Sequence, residues 1–244
     1  MNKREATAVA GSLVFPSKMP GTSYGIPASA CITGAKLWGV AGSICSGCYA
    51  KDRGNYRYPS VQIAQARRLE AIRHDSFVEA MVELLERAHG RGAGGVVVNP
   101  APVNPRTREA LSPHHRWHDS GDLQSRDHLA RICAVARATP WLDHWLPTRE
   151  GRIVKAFVRD GGTIPANLTI RLSATMVDGA APSAWPQTST VHSGRKRDER
   201  GRFLRQPRGH ICPANLQGGK CSGELVDCRA CWSHDVANVS YHVH

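Results

Sequence analysis

The chain has 244 residues, enough for one sizeable core, and its 32 Lys and Arg against 20 Asp and Glu leave a formal charge of +12. That balance favours a phosphate-bearing partner, a nucleotide or nucleic acid. It has no apolar run of the length a membrane span needs and no apolar core of a secretory signal near its start, so a cytoplasmic protein without a membrane partner is expected, and its eight cysteines read as metal ligands rather than a disulfide framework.

Residues 1–60 are rich in Gly, Pro, Ser and Tyr with little periodicity, which predicts loops organised around a bound group. They carry Cys31, Cys45 and Cys48 at C-x13-C-x2-C spacing. Three protein ligands leave one position open, the property of a metal site that does chemistry or takes a fourth ligand from outside. In a [4Fe–4S] cluster that position could be chelated by the amino and carboxylate groups of S-adenosylmethionine. The alternatives are a closed Zn²⁺ site completed by His210, His114, His115 or His118, and one interleaved site shared by all the clustered cysteines.

From Ser60 to His89 the apolar residues Ile63, Ala66, Leu69 and Ile72, then Phe77, Val78, Met81, Val82 and Leu85, fall at helical spacing, predicting two helices or one broken near Asp75 and Ser76. The run Val96 to Val98 predicts a strand, and "HHRWHDSGD" a strand ending in a polar loop. Ser125 caps a helix with Leu129, Ile132, Cys133 and Ala136 inward, where Cys133 acts as a small hydrophobe. A strand in "DHWLPT", a helix around Ile153 to Val158, and strands in "NLTIRLSAT" and "STVHS" follow.

This alternation predicts an α/β fold, an incomplete (β/α) TIM-like barrel with an N-terminal cysteine loop and a C-terminal cysteine-rich metal module. Chemistry in such sheets gathers at the carboxyl ends of strands. Those ends carry His118, Asp119, Ser120, Gly121 and Asp122, then Thr148, Arg149 and Glu150, then Ser173 and Thr175, then His192. Polar residues there also cap helices, the blander reading for any one of them.

After the barrel segment, 61–192, residues 193–209 form a basic loop in which Arg195, Lys196 and Arg197 are candidate phosphate contacts. Residues 210–244 form the C-terminal module, with Cys212, Cys221, Cys228 and Cys231 at C-x8-C-x6-C-x2-C spacing. Four thiolates can close around Zn²⁺ or an iron–sulfur cluster; Pro213 after the first cysteine leans toward iron–sulfur.

The pieces "SKMPGTSYGIPASAC", "ICSGCYA", "GNYRYPSV", "RWHDSGDLQS", "LPTRE", "LTIRLSAT" and "CPANLQGGKC" through "CRACW" resemble, in order, the "gene product 88" family of bacteriophage proteins. The resemblance implies a phage origin, hence the host-cell cytoplasm, and brings no established reaction. More distantly the chain is similar to radical S-adenosylmethionine enzymes, which pair a partial barrel with three cluster cysteines near the N-terminus and often add a C-terminal cluster domain. On that similarity Cys31, Cys45 and Cys48 would hold a [4Fe–4S] cluster. Asp119, Ser120, Gly121 and Asp122 would stand at the cofactor's amino group, with Arg171 and Ser173 at its ribose or carboxylate. The usual first interval is three residues rather than thirteen, and Gly47 replaces an aromatic residue.

Three functions are therefore expected in competition: an iron–sulfur, S-adenosylmethionine-dependent enzyme needing a reductant, acting on a nucleotide or nucleic-acid-related substrate; a zinc-stabilised nucleic-acid-binding protein without catalysis; and a metal-dependent hydrolase using His114, His115, His118 and Asp119.

Overall fold

In the computed structural model, which describes residues 1–194, 207–223 and 225–243, the first helix is set by its cap. Asn2 Oδ1 accepts from the Glu5 amide at 3.0 Å, the Glu5 carboxylate accepts from the Asn2 amide at 2.8 Å, and α1 runs Lys3–Ala10. Next come strand β1 (Thr22–Tyr24), short helices α2 (Ile32–Leu37) and α3 (Tyr49–Asp52), and the helix pair α4 (Pro59–Ala71) and α5 (Phe77–Ala88). The break between α4 and α5 falls where the sequence predicts it. Strand β2 (His114–Trp117), helix α6 (Arg126–Ala138), strand β3 (Asp143–Thr148), helix α7 (Gly151–Arg159) and strand β4 (Leu168–Val177) give the alternation, and β5 (Thr188–His192), β6 (His210–Ile211) and β7 (Asn238–His242) complete the strands.

All seven strands pair in parallel, in the order β1-β2-β3-β4-β5-β7-β6. The sheet is open, with β1 and β6 at its edges, so the architecture is mixed α/β with one parallel sheet and no closed barrel. Side chains alternate across it. Trp117, Leu146, Ile170 and Leu172 face one way, into a core with Phe77, Met81 and Leu85 of α5, Leu129, Ile132 and Cys133 of α6, and Val154 of α7. Trp145 and Val239 lie in a separate cluster with Ala230, Cys231 and Trp232, so the C-terminal segment covers the opposite face.

Arg171 organises that cover. Fully buried on β4, it donates to the carbonyls of Ala230, Cys231, Ser233, Val236 and Thr188 at 2.7 to 3.3 Å. Thr169 Oγ1 adds a bond to the Trp232 carbonyl at 2.7 Å, and the Trp232 indole N–H donates to the His115 carbonyl at 3.0 Å.

Two expectations from periodicity do not hold. Val96, Val97 and Val98 are 64%, 52% and 68% exposed in a loop, because Gly94 and Gly95 turn the chain at positive φ and only Val97 finds a bridge partner, Arg91. On α4, Ile63 points to solvent at 55% exposure while Gln65 and Arg68 are buried. That helix packs against polar backbone: Arg68 donates to the carbonyls of Ser12 at 2.9 Å and Gly25 at 3.2 Å.

The helix-side core also holds neutral histidines. Burial pulls His89 from 6.5 down to about 4 and His128 and His144 to about 3. His144 Nδ1 accepts from the Trp117 indole at 3.2 Å, and His115 Nδ1 and His89 Nε2 share the Thr22 hydroxyl at 2.9 and 3.2 Å.

Replacing Arg171 with Met should strand several buried carbonyls and lower unfolding stability by at least about 3 kcal/mol in urea titrations. Stability should also fall with acidification. Below about pH 6.5 the unfolded chain takes up protons that the folded histidines refuse, so stabilisation complete above that pH is lost toward pH 4, by up to about 1.4 kcal/mol per pH unit for each histidine. Asp122, raised by burial to about 6, and Asp119, also raised by burial, act in the opposite sense but are outnumbered by the buried histidines. A urea midpoint at pH 5 equal to that at pH 7.5 would contradict this.

Candidate functional site

Beyond Tyr24 the chain leaves the carboxyl end of β1 and forms the cysteine loop. Cys31 precedes α2, Cys45 lies in a 3₁₀ turn over Ile44–Gly47, and Cys48 precedes α3. Ser43 caps that turn, accepting from the Ser46 amide at 3.0 Å and donating to the Leu37 carbonyl at 2.6 Å. The Val177 amide donates to the Gly42 carbonyl at 3.0 Å, tying the loop to the end of β4. From the end of β3, the buried Glu150 carboxylate accepts from the Thr33 amide at 2.7 Å and hydroxyl at 2.9 Å, which fixes the start of α2.

All three thiols line one cleft of about 440 Å³ over the carboxyl ends of β2, β3, β4, β5 and β7. A Cβ added at Gly34 would stand 3.5 Å from Cys45 Sγ and 3.6 Å from Cys31 Sγ, so the glycine keeps the space beside those sulfurs open. Burial, then Asp122, Cys48 and Cys45, push the Cys31 thiol up to about 12. Cys45 is raised by burial against the pull of Arg149, which also lines the cleft.

The loop after β2 divides its residues between structure and ligand. His118, at a left-handed φ of 58°, donates its amide to the Tyr24 carbonyl at 2.7 Å. Ser120 Oγ accepts from Gln65 Nε2 at 2.6 Å and donates to the Ile26 carbonyl at 2.8 Å; Gly121 lies so close to Ile26 that a side chain would collide. Asp122 is saturated by the Thr148 hydroxyl at 2.5 Å and the amides of Leu123 at 2.8 Å and Arg149 at 2.9 Å. Asp119 is different: it lines the cleft, burial raises its carboxyl, and its Oδ1 has no hydrogen-bond partner among the described residues. Ser173 lies in the cleft as well, its hydroxyl 3.0 Å from that of Ser189.

Other expected site residues fall elsewhere. Arg171 is committed to five carbonyls beneath the C-terminal segment and does not line the cleft. His114 and His115 point to opposite faces, against Trp232 and Thr22, while His118 packs on His128, so the histidines of "HHRWH" do not converge. His210 Nε2 sits 3.3 Å from Cys228 Sγ, in the C-terminal cysteine set. Arg195, Lys196 and Arg197 lie outside the described residues.

In the C-terminal set Cys221 is raised to about 11 by burial, then by Cys212, with a further push from Cys228. Cys231 is raised to about 12 by burial, against its bond to Tyr241, and also feels Cys221 and Cys212. The four thiols therefore lie within electrostatic reach of one another. Cys231 Sγ is 3.1 Å from the hydroxyl of Tyr241, which lines the cleft, so this set borders the floor of the first. Among the described residues no group of three or more His, Cys, Asp and Glu side chains is drawn together tightly enough to hold a metal ion as it stands.

The family model "Gene product 88" matches residues 2–234. The chain belongs to the gene product 88 family. That membership covers both cysteine sets and every cleft-lining strand but the last, and it agrees with a phage origin. Comparison with curated proteins and with solved structures finds no match for this family member, so the radical S-adenosylmethionine similarity gains no support there.

Sequence reading missed Glu150 and Thr33 as the clamp on the cysteine loop, and Arg116, Trp145 and Tyr241 as the cleft floor. The signal for the floor was present: alternation puts Arg116 opposite the core-facing Trp117, and Trp145 opposite His144 and Leu146.

Glu150→Ala should leave the Thr33 donors without an acceptor and cost about 1 to 3 kcal/mol of stability. Thr33→Ala in the Glu150→Ala background should add little, and a double-mutant cycle reads this as strong coupling. Additive effects would show that the clamp does not hold the loop.

Proposed function

We propose that the chain is an iron–sulfur enzyme of radical S-adenosylmethionine type, acting on a nucleotide or nucleic-acid-related substrate. The observation that carries this reading is that Cys31, Cys45 and Cys48 line one cleft, where the carboxylates acting on Cys31 and Cys45 are those of Asp122 and Glu150. The neighbouring carboxylates are engaged, Asp122 by three donors and Glu150 by Thr33. The donor set fits a [4Fe–4S] cluster with one open iron: three thiols held at turns and helix starts, with a glycine leaving room beside two of the sulfurs. Strands β1 to β5 stack in sequence order with their helices on one face of the open sheet, an order that supports the comparison with a partial (β/α) barrel.

When bound, such a cluster supplies one-electron reductive cleavage of S-adenosylmethionine and, through it, hydrogen abstraction from substrate. The chain's own residues do the positioning. Asp119 offers an unpartnered carboxylate oxygen to the cofactor's ammonium group, and Ser173 with Ser189 offers hydroxyls to its ribose or carboxylate. Asp122, Ser120 and Gly121 hold the loop that presents Asp119. The Tyr49 hydroxyl closes over it by donating to the Asp119 carbonyl at 2.9 Å, limiting water at the site. Cys212, Cys221, Cys228 and Cys231 hold a second centre, Zn²⁺ or a closed cluster. Arg171, expected at the cofactor, serves instead to seat that second centre's segment.

A zinc-stabilised nucleic-acid-binding protein is the second reading. It is favoured by exposed aromatic rings: Tyr49, which lines the cleft, is 43% exposed, and Tyr58, under the Arg57 guanidinium, is 49% exposed.

Anaerobic purification with metal and sulfide analysis separates the two. The enzyme reading expects a brown protein whose reduced electron paramagnetic resonance signal changes on adding S-adenosylmethionine. Asp119→Ala should weaken that response with iron intact, and Cys45→Ser should lose the responsive cluster. Zinc without iron, or a cluster indifferent to the cofactor, would sink the radical mechanism.

A further inference from the structure

We infer that Arg116 is an oxyanion-binding residue of the cleft and that it receives a phosphate group of the substrate. This rests on the reading above only in taking the cleft as the substrate site.

Two arginines on the same face of the sheet differ in how their guanidinium groups are used. Arg171 shows what a structural arginine looks like in this protein: its guanidinium is consumed by five carbonyls. Arg116 lines the cleft, and the one protein acceptor it meets among the described residues is the Met19 thioether, at 3.2 Å. Thioether sulfur is a weak acceptor. Its Nε is buried without a partner among the described residues, and the Asp119 carboxylate, which feels its charge, makes no hydrogen bond to it.

The Asp119 carboxylate acts on Arg116 electrostatically, and the rest of its surroundings are rings and donors. The guanidinium lies 4.7 Å from the centre of the Trp145 ring, and the Trp145 indole N–H is also buried and unpartnered. The stacking holds the guanidinium plane in place. Tyr49 and Tyr56, whose rings are 5.7 Å apart, donate to the Asp119 carbonyl at the same end of the cleft. A cation with spare donors in a partly desolvated cleft is costly unless a ligand completes it, and guanidinium favours phosphate and carboxylate geometrically. The flanking aromatic rings favour the planar base of a nucleotide over an aliphatic acid. Arg149, the other cleft arginine, feels Cys31 and Cys45 and so belongs to the cysteine end, leaving Arg116 for the substrate.

The test is calorimetric binding to the full chain, with adenosine 5′-monophosphate, adenosine, a short single-stranded oligonucleotide and methionine as separate ligands. Wild type, Arg116→Gln and Arg116→Lys are compared, with iron content and thermal melting recorded for each. Wild type should prefer the monophosphate or the oligonucleotide over adenosine, and the tighter of the two identifies the source of the phosphate. Arg116→Gln should weaken that ligand by about tenfold to a hundredfold and leave adenosine unchanged. Arg116→Lys keeps the charge without the fork and should fall between; it carries the test alone if the Gln variant does not fold. Affinities for the phosphate ligands that match wild type in the folded variants overturn the inference. So does a wild type indifferent to phosphate, or a loss confined to methionine, which would assign Arg116 to the cofactor carboxylate. Iron-free protein that still binds phosphate through Arg116 would remove the cluster and leave this inference standing.

Discussion

One guanidinium holding five carbonyl oxygens is the interaction on which this molecule's second face depends. A parallel sheet needs both faces covered, and here helices cover one while a segment with little regular structure covers the other. Such a segment cannot satisfy its own backbone. Arg171 takes the carbonyls of Ala230, Cys231, Ser233 and Val236 together with that of Thr188, so a turn without helix or ladder is fixed against β4 and β5. The consequence reaches the cleft. With residues 230–236 seated, Trp232 packs on Trp145 at 5.2 Å between ring centres, and Tyr241 reaches Cys231, closing the floor beneath the strand ends.

The strand ends then separate into groups already committed and groups in reserve. Asp122 and Glu150 are spent on the frame: one joins the loops after β2 and β3, the other clamps the cysteine loop to β3. Asp119 Oδ1 and Arg116 Nε have no hydrogen-bond partner among the described residues, though each group feels the other's charge. Burying such groups unpaired opposes folding, and the saturated carboxylates beside them supply the rigidity that tolerates it. A carboxylate and a guanidinium that feel one another's charge at the carboxyl end of β2 suit a ligand carrying both an ammonium and an anion, or two ligands side by side.

Much of this was legible in the sequence where the signal is local. Helical spacing located α4, α5 and α6, β-branched and aromatic runs located β2 to β5, and the alternation predicted a parallel sheet. What failed was what depends on the far side of a contact. Arg171 reads like a cofactor ligand because it shares a strand with Ser173 and Thr175, and nothing local reveals a C-terminal turn arriving sixty residues later. Ile63 reads as core because periodicity cannot tell an apolar neighbour from the polar backbone that Gln65 and Arg68 meet instead. Val96 to Val98 read as a strand because β propensity reports a side chain's preference, while the flanking glycines and prolines decide the path. The barrel expectation resolved into an open sheet because closure depends on the pairing of β1 and β6, which no stretch of either encodes.

The two cysteine sets pose a final electrostatic constraint. Without a cation, Cys31 is pushed to about 12 and Cys231 to about 12, so these buried thiols hold their protons at neutral pH, and each thiol that ionised would oppose the next. A metal ion or cluster reverses the sign of that interaction, and it does so by displacing the protons. On the proposed reading, loading either centre is therefore a proton-releasing step favoured by rising pH. Burial of the core histidines works in the same direction, since it stabilises the folded chain most fully above about pH 6.5.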